Sequence, residues 1–219
     1  MSHIEMSHVL VACEYSGVVR DAFIKQGISA VSCDLLPTDR SGPHFQCDIF
    51  DLDWSQYDLV IAHPPCTYLT TSAEWAYKDE QTKRIKQGTL IGAARREARE
   101  KALEFVERIW RQPVPRLCIE NPVGVINSRL QFMPKPQYIQ PYDFGHNASK
   151  KTGLWLRGLP ELLPTTFIMP RMVGGKPRWG NQTDSGQNTL PPSDERWKIR
   201  SATYQGIADA MAAQWSKLL

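Results

Sequence analysis

The chain has 219 residues, 42% hydrophobic and 22% charged, with a net charge of +3. Those values are ordinary for a soluble globular protein and leave room for one sizeable core or two small ones. No apolar run is long enough to span a bilayer and no signal peptide is recognisable, so a soluble, cytoplasmic protein without membrane contact is expected.

A net charge of +3 is too weak to indicate nucleic-acid binding by itself. Its distribution is permissive: between Gln140 and Gly180 six Lys/Arg face two Asp/Glu, and ERWKIR (195–200) adds three basic residues. Five cysteines (Cys13, Cys33, Cys47, Cys66, Cys118) with no C-x-x-C pair argue against a disulfide framework and a structural metal site. Four of them follow or sit within strand-like apolar runs; Cys66 lies beyond one, in a loop.

In chain order, HVLVACE (8–14) reads as a strand and RDAFIKQG (20–27) as a helix with a glycine stop. SAVSCDLLP (29–37) is a second strand, HFQCDIFD (44–51) a third strand or turn, and DLVIAHPPC (58–66) a fourth strand. Strands separated by helical spacing imply crossovers and an α/β, doubly wound, mostly parallel sheet. Near the end of the charged stretch 78–110, Ala98, Ala102, Phe105, Val106 and Ile109 recur at helical spacing. PRLCIENPVG (115–124) is a buried strand ending in Glu-Asn-Pro. Beyond it the chain is rich in Pro, Gly, Gln and Asn. Strand candidates there are QYIQPYDF (137–144), TGLWLRGLP (152–160) and TTFIM (165–169). A long loop over 175–195 follows, and an amphipathic helix over 201–219 closes the chain. One catalytic domain over 1–219 is expected, with 160–200 as a reduced recognition region.

Chemistry-bearing residues fall at successive strand ends. Pro64 and Pro65 fix φ and remove two backbone donors, so the fourth strand must stop and Cys66 is held on a stiff ledge. In open α/β sheets that edge is where ligands bind. Glu14, Tyr15, Ser16 and Gly17 form a glycine-bearing turn, and Asp34 and Asp48 end the next two strands. In that order they suit an adenosine-containing ligand, although singly each acid also reads as a cap or turn residue. The turn is not G-x-G-x-x-G, which disfavours a nicotinamide dinucleotide, and no phosphate-loop motif is present. Cys66 and Glu120 end two different strands and can share a cleft. A thiolate can add to C6 of cytosine while a carboxyl group at N3 balances the charge, making C5 nucleophilic toward a methyl group. The plainer alternative is a strand-ending turn with a buried thiol and an Asn-Pro cap.

The order CEYSGVVRDAF, Asp34, CDI, PPC, ENP resembles the DNA cytosine-5 methyltransferase family. The resemblance implies a doubly wound sheet of the S-adenosylmethionine-dependent methyltransferase (Rossmann-like) type. S-Adenosylmethionine would be the cofactor, held by Glu14, Tyr15, Ser16, Gly17, Asp34, Asp48, Pro64 and Tyr204 (with Thr203). Catalytic positions would be Cys66 as nucleophile, Glu120 at N3, Asn121 bracing the loop, Pro65, and Lys151 (with Lys150) in place of the family's Arg-x-Arg element. The partner would be duplex DNA with a flipped base.

Several features depart from the family pattern. Tyr15 and Val18 stand where glycines are usual, and Thr67 where glutamine is. Only residues 160–200 occupy the place of a target-recognition domain, implying a very short target, a protein partner, self-association or a smaller substrate. Lys83, Arg84, Lys86, Arg95, Arg96 and Arg99 read equally as phosphate contacts or as a solvated helix face. The competing readings are an amino-methyltransferase, a degenerate cofactor-binding module, and a pyrimidine nucleotide substrate.

Overall fold

The computed structural model describes residues 8–80, 85, 87–193 and 195–219. The amino-terminal stretch through Ser7, and Lys83, Arg84 and Lys86, lie outside the described residues. Apolar runs too short for helices become strands: β1 His8–Ala12, β2 Ser29–Asp34, β3 His44–Gln46, β4 Leu59–Ala62 and β5 Arg116–Pro122. They pair in parallel, and β6 Gln137–Ile139 and β7 Thr152–Arg157 complete one seven-stranded sheet. Its order is β3-β2-β1-β4-β5-β7-β6, with β7 antiparallel to both neighbours. The sheet is thus mostly parallel and doubly wound, of the Rossmann-like methyltransferase type. Its direction of winding reverses between β1 and β4, which opens a crevice at their carboxyl ends.

Burial on both faces explains why β1 and β4 read as continuous apolar runs rather than as an alternation. Val9, Val11, Leu59, Ile61 and Cys118 face Phe23 of α1 (Val18–Lys25) and Met211 and Trp215 of α5 (Gln205–Trp215). Leu10, Val60, Leu117 and Ile119 face Leu103, Val106 and Ile109 of α2 (Gly92–Trp110) and the buried Trp54.

The late segment differs from expectation. TTFIM forms no strand; Thr166 makes a single bridge to Phe144. The stretch 175–195, expected as loop, contains β9 Lys176–Arg178, which forms a hairpin with β8 Arg171–Val173 just before it. Its two-residue turn, Gly174-Gly175, has φ of 54° and 75°, which side-chain-bearing residues rarely adopt. A short helix α4, Arg196–Ser201, follows, so α5 begins at Gln205 rather than at 201. Another short helix, α3 (Ile126–Arg129), follows β5. The first helix starts at Val18, two residues earlier than its spacing suggested.

The buried face of α2 also departs from its apolar pattern. Arg95 and Arg99 are buried, whereas Ala98 is only half-buried. Arg99 lies 3.5 Å over the Tyr77 ring and donates to the Tyr68 and Thr70 carbonyls and to Glu74. Arg95 sits over Tyr68 and Tyr77. Neither belongs to a solvated face, because both guanidinium groups lie against aromatic rings and donate to backbone carbonyls. Arg96, half-exposed, pairs with Asp79.

Candidate active site

Two adjoining depressions lie at the carboxyl edge of the sheet. The first, of about 100 Å³, is lined by the turn after β1, His63 to Cys66 after β4, Glu120 to Pro122, Lys150, and residues 200–203. The second, about 400 Å³, is lined by Asp34, Leu35, Asp48, Ile49, Thr67, Tyr68 and the α2 residues Ala98, Lys101, Ala102 and Phe105. Cys13 and Pro65 border both. Cys13 is the one non-glycine among the described residues with positive φ, 58°, an unfavourable conformation held where the chain turns between the two depressions.

The ledge carrying Cys66 is fixed from several sides. His63 N–H continues the ladder to the Ala12 carbonyl at 2.9 Å. Asn121 Nδ2 donates to the Pro64 carbonyl at 2.7 Å, tying the end of β5 to the prolines. Beyond Cys66, the amides of Leu69 and Thr70 return to its carbonyl, and Val125 N–H reaches Leu69 O. Gly124 is needed here, since a Cβ on it would fall 1.9 Å from the Leu69 carbonyl oxygen. Burial pushes the Cys66 thiol above its ordinary value; Lys150 and Arg200 oppose this and Glu120 adds to it.

Parallel register pairs Ala62 with Ile119, so the next residues, His63 and Glu120, stand side by side. His63 Nδ1 lies 2.9 Å from Glu120 Oε2. Burial raises the Glu120 carboxyl, but the His63 hydrogen bond, the Lys150 charge and the Thr152 hydroxyl outweigh it and leave it below the usual glutamate value. Glu120 is therefore a carboxylate, and the His63 Nδ1–H donates to it. The sequence reading overlooked His63. Its signal was the equal offset of His63 and Glu120 beyond two neighbouring apolar runs, which only the strand pairing makes visible.

The expected cofactor residues divide between the two depressions. Glu14, Tyr15, Ser16, Pro64 and Pro65 border the first, Asp34 and Asp48 the second. Glu14 does more than line the site: its carboxylate accepts from Ser16 and from the Val19 and Arg20 amides, capping α1. Tyr15 Oη donates to the Lys198 carbonyl and lies 2.9 Å from Ser201 Oγ, fastening α4 across the first depression. Asp34 and Asp48 each accept an amide from two residues on, so the turn-residue reading holds for them as well. Burial raises the Asp34 carboxyl.

Three expected positions are displaced. Gly17 borders neither depression; it starts α1 at φ 69°, where a Cβ would meet the Arg20 guanidinium at 2.5 Å. Lys151 is exposed, its Nζ 4.4 Å from the Tyr138 ring, because alternation along the approach to β7 turns it outward. Lys150 lines the site instead and donates to the Arg200 carbonyl. Tyr204 packs toward His146, 5.2 Å between rings, and borders neither depression, whereas Thr203 does border the first.

The second depression fits an adenosine group. Its rim carries two carboxylates suited to ribose hydroxyls and an exocyclic amine, and Leu35, Ile49 and Phe105 offer apolar surface for a ring.

The strand order and the antiparallel β7 define a Rossmann-like fold of the methyltransferase type. Neither a protein-family model nor a curated protein sequence matches the chain. Among solved structures, the chain is similar to the hMettl16 catalytic domain in complex with the MAT2A 3′UTR hairpin 6. Identity is 12% and the TM-score 0.38, over 74% of this chain and 66% of that one, a likeness that speaks to neither substrate nor activity. No helix among the described residues is long and apolar enough to cross a membrane.

Proposed function

We propose that this chain is an S-adenosylmethionine-dependent methyltransferase acting at C5 of cytosine in DNA through a covalent adduct with Cys66. The observation that supports this most is the convergence of Cys66 and Glu120, from the ends of two neighbouring parallel strands, on one small cleft. That cleft adjoins an acid-rimmed pocket of about 400 Å³.

Asp34 and Asp48 would hold the adenosine part of the cofactor, and the Glu14–Ser16 turn would face its methionine part. When bound, S-adenosylmethionine supplies an electrophilic methyl group. The remaining work belongs to the chain. Cys66 adds to C6 of the pyrimidine, and Glu120 holds N3 as the ring gains electron density. Pro64, Pro65 and the Asn121 hydrogen bond keep the sulfur from drifting, which matters because small misplacements of a nucleophile are costly in rate. Lys150 and Arg200 place positive charge at the mouth, where a flipped nucleotide would bring its phosphate.

The segment 160–200 contributes little recognition surface beside the roughly 1,000 Å² or more that specific DNA interfaces bury. That shortfall would be met by a very short target, a second copy, a partner protein or a substrate smaller than duplex DNA.

The test is incubation with random-sequence DNA duplex and S-adenosylmethionine, then mass spectrometry of the nucleosides. The reading predicts 5-methylcytosine, absent with Cys66→Ala. N4-Methylcytosine or N6-methyladenine as product would contradict it and favour amino-methyl transfer.

A further inference from the structure

We infer that His63 is a working residue of the proposed reaction: with Glu120 it forms a proton-relay dyad that takes a proton from the cleft at Nε2 and passes one from Nδ1 to the carboxylate that holds N3. The inference rests on the cytosine-5 reading above.

Three observations carry it. His63 Nδ1 and Glu120 Oε2 are 2.9 Å apart, and the two side chains are only 9% and 11% exposed. His63 Nε2 is buried and has no hydrogen-bond partner among the described residues, and His63 is one of the residues that border the cleft holding Cys66. A buried polar nitrogen left unpaired is costly to the fold. Holding Glu120 in place needs Nδ1 alone, and an asparagine amide would serve. An imidazole adds a second basic nitrogen, here buried and unpaired on a residue that borders the site.

Proton accounting gives that nitrogen a task. Glu120 rests as a carboxylate and Cys66 as a thiol, both for the reasons of burial and neighbouring charge given above. When sulfur bonds to C6, the C5=C6 electron pair shifts into the ring and N3 must gain a proton, yet the carboxylate has none to give. The S–H proton goes to His63 Nε2, the Nδ1 proton to Glu120 Oε2, and Glu120 delivers it to N3. On elimination the S–C6 bond breaks and the same path runs backwards to restore the thiol, while the proton displaced from C5 leaves to solvent. No oxidant or reductant is required.

Addition at C6 alone labilises the C5 hydrogen, so the test needs no methyl donor. Wild type, His63→Asn and His63→Ala are each mixed with random-sequence duplex carrying tritium at C5 of cytosine, and tritium release is followed against pH. The groups that shape the profile are Cys13 and Glu14 after β1, Asp34 at the end of β2, and Cys66 after β4. Cys118 and Glu120 on β5, Lys150 before β7 and Arg200 on α4 complete the set.

His63→Asn, which keeps a donor to Glu120, is expected to fold with a thermal midpoint near wild type and to release tritium about 100-fold more slowly. Imidazole should restore release to His63→Ala at least tenfold, the gain following the basicity of the imidazole used. In a Glu120→Gln background His63→Asn should cost nothing further. Wild-type rates in His63→Asn overturn the dyad and leave the cytosine reading intact. So does a loss in both variants that tracks a collapsed thermal midpoint and resists imidazole. A wild type that releases no tritium, with or without methyl donor, removes the cytosine reading and the dyad together.

Discussion

The parallel half of the molecule and the segment 160–201 are held together by different means. β1, β4 and the middle of β5 are buried on both faces, and at or just beyond the end of each of the first five strands stands a residue that lines a depression. The late segment is fastened by polar stitches. Asn147 Oδ1 accepts from Gly180, Asn181 bonds both ways to Ser149, and Tyr142 stacks on Trp179 at 4.0 Å. Met169, Met172, Trp197 and Ile199 are all more than half exposed. The chemistry proposed here, which needs sub-ångström placement, would sit on the densely buried part. The region expected to meet a partner exposes apolar and basic side chains, as an adaptable contact surface would.

The contrast can be broken most severely in the core. Ile61→Ala, under the Cys66 ledge, is expected to cost about 2–5 kcal/mol, while Met172→Ala on the hairpin should stay within about 0.5 kcal/mol. Chemical denaturation of both variants checks this; equal costs would erase the distinction.

Gly124→Ala should cost about 1–3 kcal/mol, because a methyl group would overlap the Leu69 carbonyl and push the loop that follows Cys66. Methyl transfer should fall further than stability does, since the same loop carries the proposed nucleophile. Loss of stability with full activity would mean the loop is free to adjust.

The smallest effect concerns acid. Glu120 is held below its ordinary value of 4.5, so its contribution to stability is complete above that pH and is lost as pH falls through the lower folded value. Thermal midpoints measured from neutrality into that range should drop less steeply for Glu120→Gln than for wild type. Asp184→Asn, which breaks the exposed pair with Arg171, should leave the curve unchanged.

The sheet was legible because doubly buried parallel strands write themselves as uninterrupted apolar runs, and Pro64-Pro65 marks where β4 must stop. That Cys66 and Glu120 border one cleft was legible for the same reason: one follows such a run and the other ends one. The rest depended on information outside the local pattern. Arg95 and Arg99 look solvated until Tyr68 and Tyr77 are folded over them. Lys150 and Lys151 are adjacent, and only the direction of approach to β7 decides which faces the cleft. His63 acquires its meaning from Glu120, 57 residues away. The Gly174-Gly175 turn was a readable hairpin signal, but the flanking segments of three residues are too short and polar to show strand alternation.

The central claim is that Cys66 bonds to cytosine. The direct measurement is incubation of the protein and S-adenosylmethionine with random-sequence duplex in which cytosine is replaced by 5-fluorocytosine, followed by denaturing electrophoresis and peptide mass spectrometry. Fluorine at C5 blocks the final elimination, so the account predicts a protein–DNA adduct that maps to Cys66 and vanishes in Cys66→Ala. Methyl transfer to cytosine without an adduct, or an adduct on another residue, would contradict it.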